Sequence, residues 1–243
     1  MDSGFYAAAA GLRAQSQALE VVAHNLANVN TPGFRGEQTT FQSLVALPRT
    51  TVSNAFNVAT NSFGVLEGTQ LDLSQGTLTT TGNPLDVAID GKGFFAVQTV
   101  RGIRYTRNGS FQVSKTGLLV SAAGEPVLGD TGPIRIPVGS TAVSPDGTVS
   151  VNGTIAGQIR VVDFSPGTLI AEGASLFSAP TGAEQRVQQV SLRQSTLESS
   201  NVDAIGSVVG LIGVQREAEM MGRVMSLFDT EFNHIAANDL GKV

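Results

Sequence analysis

The 243-residue chain has no cysteine and no tryptophan, and only 14% of its residues are charged. Without cysteine there is no disulfide framework, no thiolate nucleophile and no thiolate metal site. Aromatic residues make up 6% of the sequence beside 28 glycines, a balance that favours turns and small-residue packing over large ligand pockets. The net charge is −5, and no Lys/Arg cluster is interleaved with aromatics, so nucleic acid is not an expected partner. The longest apolar runs, 6–12 and 208–214, fall well short of the roughly 20 residues of a spanning helix, so no membrane insertion is predicted. The first dozen residues carry Asp2 and no base before Arg13, the opposite of a basic secretory leader.

The chemistry of catalysis is equally sparse. His24 and His234 are the only histidines, and neither has a second histidine or a carboxylate at ligand spacing, so no metal is expected. They read as polar positions on exposed helix faces, with a slight pH sensitivity if the helices bring them together. Asp86 and Asp90 resemble a carboxylate pair for glycoside cleavage only in number, since both sit beside turn residues. Gly91, Gly93 and Gly102 lack the Lys-Ser/Thr and the following helix of a phosphate loop and read as turn glycines. No enzymatic activity and no cofactor are predicted.

What is present is an apolar fraction of 41%, enough for a core, arranged in two different rhythms. At the N-terminus Phe5, Leu12, Leu19 and Leu26 recur every seven residues, with Ala8, Val22 and Val29 three residues after three of them. Near the C-terminus Leu211, Val214, Ala218, Met221, Met225, Phe228, Phe232 and Ile235 step by three and four. Both are coiled-coil seams, which an isolated helix leaves exposed. The first helix should run from residue 3 or 4 to 28 and stop at Pro32-Gly33. Residues 37–64 read as a linker with at most a short helix around 41–45. From 65 onward turn residues recur every eight to twelve positions, the rhythm of antiparallel strands, predicted at 85–89, 93–99, 103–107, 111–113, 118–120, 133–136, 149–151 and 157–162. Asp90-Gly91, Asn108-Gly109 and Asp146-Gly147 offer positive-φ turns. Asn201 or Ser200 is the expected N-cap of the last helix, with Asp203 placed against its dipole.

The predicted fold is therefore α+β. N- and C-terminal helices (1–36 and 201–243) form a coiled-coil assembly domain, joined by the 37–64 linker to a central all-β domain and return segment at 65–200. The candidate assembly interface comprises Phe5, Leu12, Leu19, Leu26, Leu211, Val214, Met221, Met225, Phe228, Phe232 and Ile235. Two unlike seams on one chain permit head-to-tail contacts and an open helical assembly.

Several segments carry a family resemblance. Leu26-Ala-Asn-Val-Asn-Thr-Pro-Gly-Phe34 at the end of the first helix resembles the signature of bacterial flagellar rod and hook proteins. The similarity continues through Gly82-Asn-Pro-Leu-Asp-Val-Ala-Ile-Asp-Gly91, Gly93-Phe-Phe-Ala-Val97, Tyr105-Thr-Arg-Asn-Gly-Ser-Phe111, Ser200-Asn-Val-Asp203 and Gln215-Arg-Glu217. Length, the short linker and Gly129-Asp-Thr-Gly-Pro-Ile-Arg-Ile-Pro137 look most like the proximal rod branch, with the distal rod branch or a hook-type axial protein next. The resemblance implies a structural axial subunit of the basal-body rod that crosses the periplasm. Such a subunit is exported by the flagellar type III apparatus and polymerises with itself and other rod subunits through its terminal helices. Phe41 and Val45 fit the family's Phe-x-x-x-apolar export pattern. The rival from another class, a β-rich enzyme or carbohydrate-binding module with a dimerising coiled coil, lacks a catalytic set to support it.

Overall fold

The computed structural model describes residues 2–42, 65–187 and 189–240 and is α+β. Two compact units are present. One comprises residues 1–26, 37–70 and 203–243, and the other residues 27–36 and 71–202.

The first unit holds the two long helices, α1 (Asp2–Ala27) and α2 (Ala204–Leu240). It also holds a two-stranded ribbon of Glu37–Gln42 with Val65–Leu71. That ribbon corrects the expected helical turn: Phe41 lies in a strand, in keeping with the β-forming Thr39-Thr40-Phe41 run, and Val45 lies outside the described residues. The Asn25 side chain ties the start of the ribbon to α1. Its amide Nδ2 donates to the Glu37 carbonyl (2.7 Å), and its Oδ1 accepts from the Glu37 N–H (2.9 Å).

At the centre of the second unit is a six-stranded antiparallel sheet in the order Ile170–Gly173, Leu176–Ser178, Gly102–Thr106, Phe94–Thr99, Val161–Asp163, Gln185–Arg186. A three-stranded meander, Thr141–Val143, Thr148–Val151 and Thr154–Gln158, lies in the same unit. The uninterrupted Phe94-Phe-Ala-Val97 run is explained by its place in the sheet. Phe95 and Val97 enter one buried cluster with Phe111, Leu119 and Val149, while Phe94 and Ala96 enter a second with Tyr105, Phe164 and Phe177. Successive side chains on a strand point to opposite faces, and here both faces are covered. Edge-on aromatic pairs join each cluster: Phe95 with Phe111 at 5.0 Å, and Phe94 with Phe177 at 5.5 Å.

The expected strands at 85–89, 93–99, 103–107, 111–113, 118–120 and 149–151 each overlap an observed strand. The expected 157–162 strand is two, Thr154–Gln158 and Val161–Asp163, in different sheets. Strands Ile170–Gly173, Leu176–Ser178, Leu192–Gln194 and Thr196–Glu198, in sequence read as a return segment, are additional. Asn108-Gly109 is not a positive-φ turn. Gly109 is needed for a different reason, because a Cβ there would lie 1.6 Å from the Val87 carbonyl oxygen.

Candidate assembly site: the helix pair and its buried root

Asp203, one residue ahead of α2, is its N-cap: Oδ1 accepts from the Ile205 N–H and Oδ2 from the Gly206 N–H, both at 3.1 Å. This corrects the expected cap at Asn201 or Ser200. The Asn201 side chain is otherwise occupied, accepting from the Gly36 N–H (2.8 Å) and donating to the Asp72 carbonyl (2.9 Å). It thereby joins the chain leaving α1 to the chain entering α2.

Within the first unit the helices lie side by side. Gln15 Nε2 donates to Glu217 Oε2 at 2.7 Å, and a Cβ on Gly11 would stand 3.7 Å from Met221 Sδ. Since 11 meets 221 while 15 meets 217, the two run antiparallel. Leu12, Leu19 and Leu26 on α1 are half-buried, as are Leu211, Val214, Ala218, Met221 and Met225 on α2. The sequence alone assigns these stripes to outside partners; in the structure the two helices carrying them already meet within one chain. The side chains of Phe5, Phe41, Phe228, Phe232, His234 and Ile235 lie outside the described residues, and His24 is exposed.

Where the α1 exit and the α2 entrance leave the β unit, charge is deeply buried. Glu198 accepts from Arg35 Nη2 (2.6 Å), Arg107 Nη1 (3.0 Å) and the Gly76 N–H (2.8 Å). The side chains of Arg35 and Glu198 are fully buried and that of Arg107 nearly so. Arg107 Nη2 also donates to the Gly91 carbonyl (2.6 Å), and its guanidinium lies 5.3 Å from the Phe94 ring centre. Burial pushes the Arg107 guanidinium down to about 10, against the upward pull of Glu198. Backbone bonds complete the join: the Gly33 N–H to the Glu198 carbonyl (2.8 Å) and the Asp72 N–H to the Gly36 carbonyl (2.8 Å). Gly33 has φ +68°, and a Cβ on it would meet the Asn108 nitrogen at 2.3 Å, so only glycine fits.

This cluster escapes a reading by spacing. Arg107 stands inside a motif, but Arg35 and Glu198 are far apart in sequence, and no local spacing links the three. The carboxylates weighed for catalysis are structural. Asp86 is buried and accepts from Thr81 Oγ1 (2.6 Å) and Asn83 Nδ2 (2.9 Å), while Asp90 pairs with Arg193 (2.6 Å). Among the described residues no group of three His, Asp or Glu side chains is placed to hold a metal, and no helix is long and apolar enough to cross a membrane.

Residues 5–35, which include most of α1 and Gly33-Phe34-Arg35, match the family model of the flagella basal body rod protein. Residues 88–151, which include the Phe94–Thr99 strand and Arg107, match that of the flagellar hook protein FlgE/F/G D1 domain. Over whole chains the sequence is 35% identical to flagellar basal-body rod protein FlgF of Caulobacter vibrioides, covering 100% of both. It is 34% identical to FlgF of Escherichia coli, over 94% of this chain and 95% of that protein. To flagellar basal-body rod protein FlgG of Agrobacterium fabrum it is 32% identical, over 95% and 97%. The alignment with the Caulobacter vibrioides protein takes in helices, root and β unit alike, and the chain belongs to the flagellar basal-body rod protein family.

Proposed function

We propose that the chain is a structural axial subunit of the flagellar rod, situated in the basal body where the rod crosses the periplasm. The observation that carries this reading is similarity along the entire chain, both terminal helices included, to a protein named as a basal-body rod protein, and along 94% and 95% of it to two others so named. The FlgF type, the proximal rod branch, is the better fit, since FlgF relatives match at 35% and 34% identity over nearly the whole chain. Its job is mechanical. The helices form a coiled-coil assembly module that contacts itself and other rod subunits. The seam residues Leu12, Leu19, Leu26, Leu211, Val214, Met221 and Met225 hold that module together. The subunit reaches the rod as an unfolded chain through the flagellar type III export apparatus, and lack of cysteine removes one obstacle to unfolding.

Deleting the gene from a motile cell should abolish swimming. The full chain should restore it, a chain ending at residue 203 should not, and tagged full chain should co-purify with basal bodies. Swimming without the chain, or its absence from basal bodies, would overturn the reading.

A further inference from the structure

We propose that residues 192–201 are a latch, and that the β unit does not fold until they have docked. The latch is a property of the fold; its use, keeping the chain open on its way to the rod, rests on the rod-subunit reading. Among the described residues, the wholly buried strand Val87–Ile89 has Leu192–Gln194 as its only strand partner, and Leu78–Thr80 has only Thr196–Glu198. Without those partners the ladder N–H and C=O groups of both strands are left unpaired, and burying them in that state is costly. Leu192 is 3% exposed and joins the cluster of Val87, Ile89, Phe95 and Val149. Its N–H donates to the Pro145 carbonyl (2.9 Å), and Gln194 Nε2 donates to the carbonyls of Pro84 (2.8 Å) and Thr141 (3.1 Å). One short segment thus ties the 78–89 region to the three-stranded meander.

Charge sets the order of events. Among the described residues Arg35 and Arg107 form ion pairs with Glu198 alone, and Glu198 lies 163 residues from the first and 91 from the second. Until Glu198 is in place, burying either guanidinium strands its charge, so residues 33–36 and the stretch around Arg107 close only together with the latch. Closing loops of this length costs chain entropy before the contacts form, which makes the latch step slow. A chain is made from its N-terminus, and the latch is the last part of the β unit to appear. Every shorter length lacks both the strand partners and the carboxylate. A subunit that travels unfolded therefore keeps its β unit open until residue 201 of 243 exists.

Refolding kinetics of the full chain test this, with Tyr6→Phe so that Tyr105 is the only tyrosine and its fluorescence follows the β unit. Leu192→Ala, or the milder Leu192→Val, should slow refolding by a larger factor than it speeds unfolding, roughly tenfold or more for the alanine variant. Leu169→Ala, buried beside Phe94 and Phe177 outside the latch, should act mainly on unfolding. The latch is overturned if the Leu192 variants chiefly speed unfolding, or if Leu169→Ala slows refolding as much as Leu192→Ala does. On ribosomes stalled at successive lengths, a protease-resistant β unit should appear only after residues 192–201 have left the exit tunnel. Resistance at a length at which they have not would also overturn it. Absence of the chain from basal bodies would overturn the rod-subunit reading and the use assigned to the latch, while leaving these folding measurements to decide the latch itself.

Discussion

Glu198 is the residue on which the most structure converges, since one carboxylate pairs with two buried guanidiniums and also anchors the Gly76 backbone. A buried ion pair adds little relative to a well-packed apolar substitute, but removing one partner strands the other charge at a cost of about 3–5 kcal/mol. Glu198→Gln should therefore lower the melting temperature of the β unit by ten degrees or more, measured by differential scanning calorimetry. Tyr105 supplies a pH-dependent case. Burial raises its phenol above the ordinary value of 10.0, and the hydrogen bond to Glu184 raises it further. A group whose pKa is raised in the folded state contributes fully below the unfolded value, and that contribution fades as pH climbs past it. Stability should thus fall as pH rises above 10, and Tyr105→Phe should fall less steeply over the same window, as melts between pH 8 and 11 would show.

At the scale of elements, legibility followed the range of the signal. Helix α1 and its stop are local matters of heptad spacing and Pro32-Gly33, and the observed Asp2–Ala27 lies within two residues of the expected ends. Strands with turn glycines were legible for the same reason, as at Phe94–Thr99. Three features were not. The cap of α2 lies at Asp203 because Asn201 is held by groups from residues 36, 72 and 74, which no window around 201 contains. The Glu37–Gln42 strand depends on a partner at Val65–Leu71. The root needs residues 35, 107 and 198 together. The seams themselves were legible as stripes, but their partner was not, because periodicity reveals an apolar face and is silent on what covers it. Met221 is half-buried beside Gly11, so Met221→Ala should cost about 1–2 kcal/mol, below the 2–5 kcal/mol of full burial. The loss should appear in the helical circular dichroism melt and leave the β unit's transition in place.

For the whole molecule, the route of the chain matters more than the order of its segments. Residues 27–36 follow α1 in sequence yet pack with 71–202, and from residue 37 the chain rejoins the helical unit. Each crossing is fastened by atoms from both chain ends: Asn201 holds Gly36, and the Glu198 carbonyl holds Gly33. A β unit cut from this protein at residue 37 would therefore lose buried Phe34 and the Arg35 partner of Glu198, although neither belongs to a strand. Two fragments separate these contributions. The fragment 27–202 retains every residue of the β unit, whereas 37–202 lacks only the ten-residue crossing. Loss of a buried aromatic and of one partner of a buried charge network removes at least about 3 kcal/mol. The shorter fragment should melt ten degrees or more below the longer, whose β transition should match that of the full chain in calorimetry. Equal melting of the two fragments would mean that residues 27–36 lie on the β unit without stabilising it.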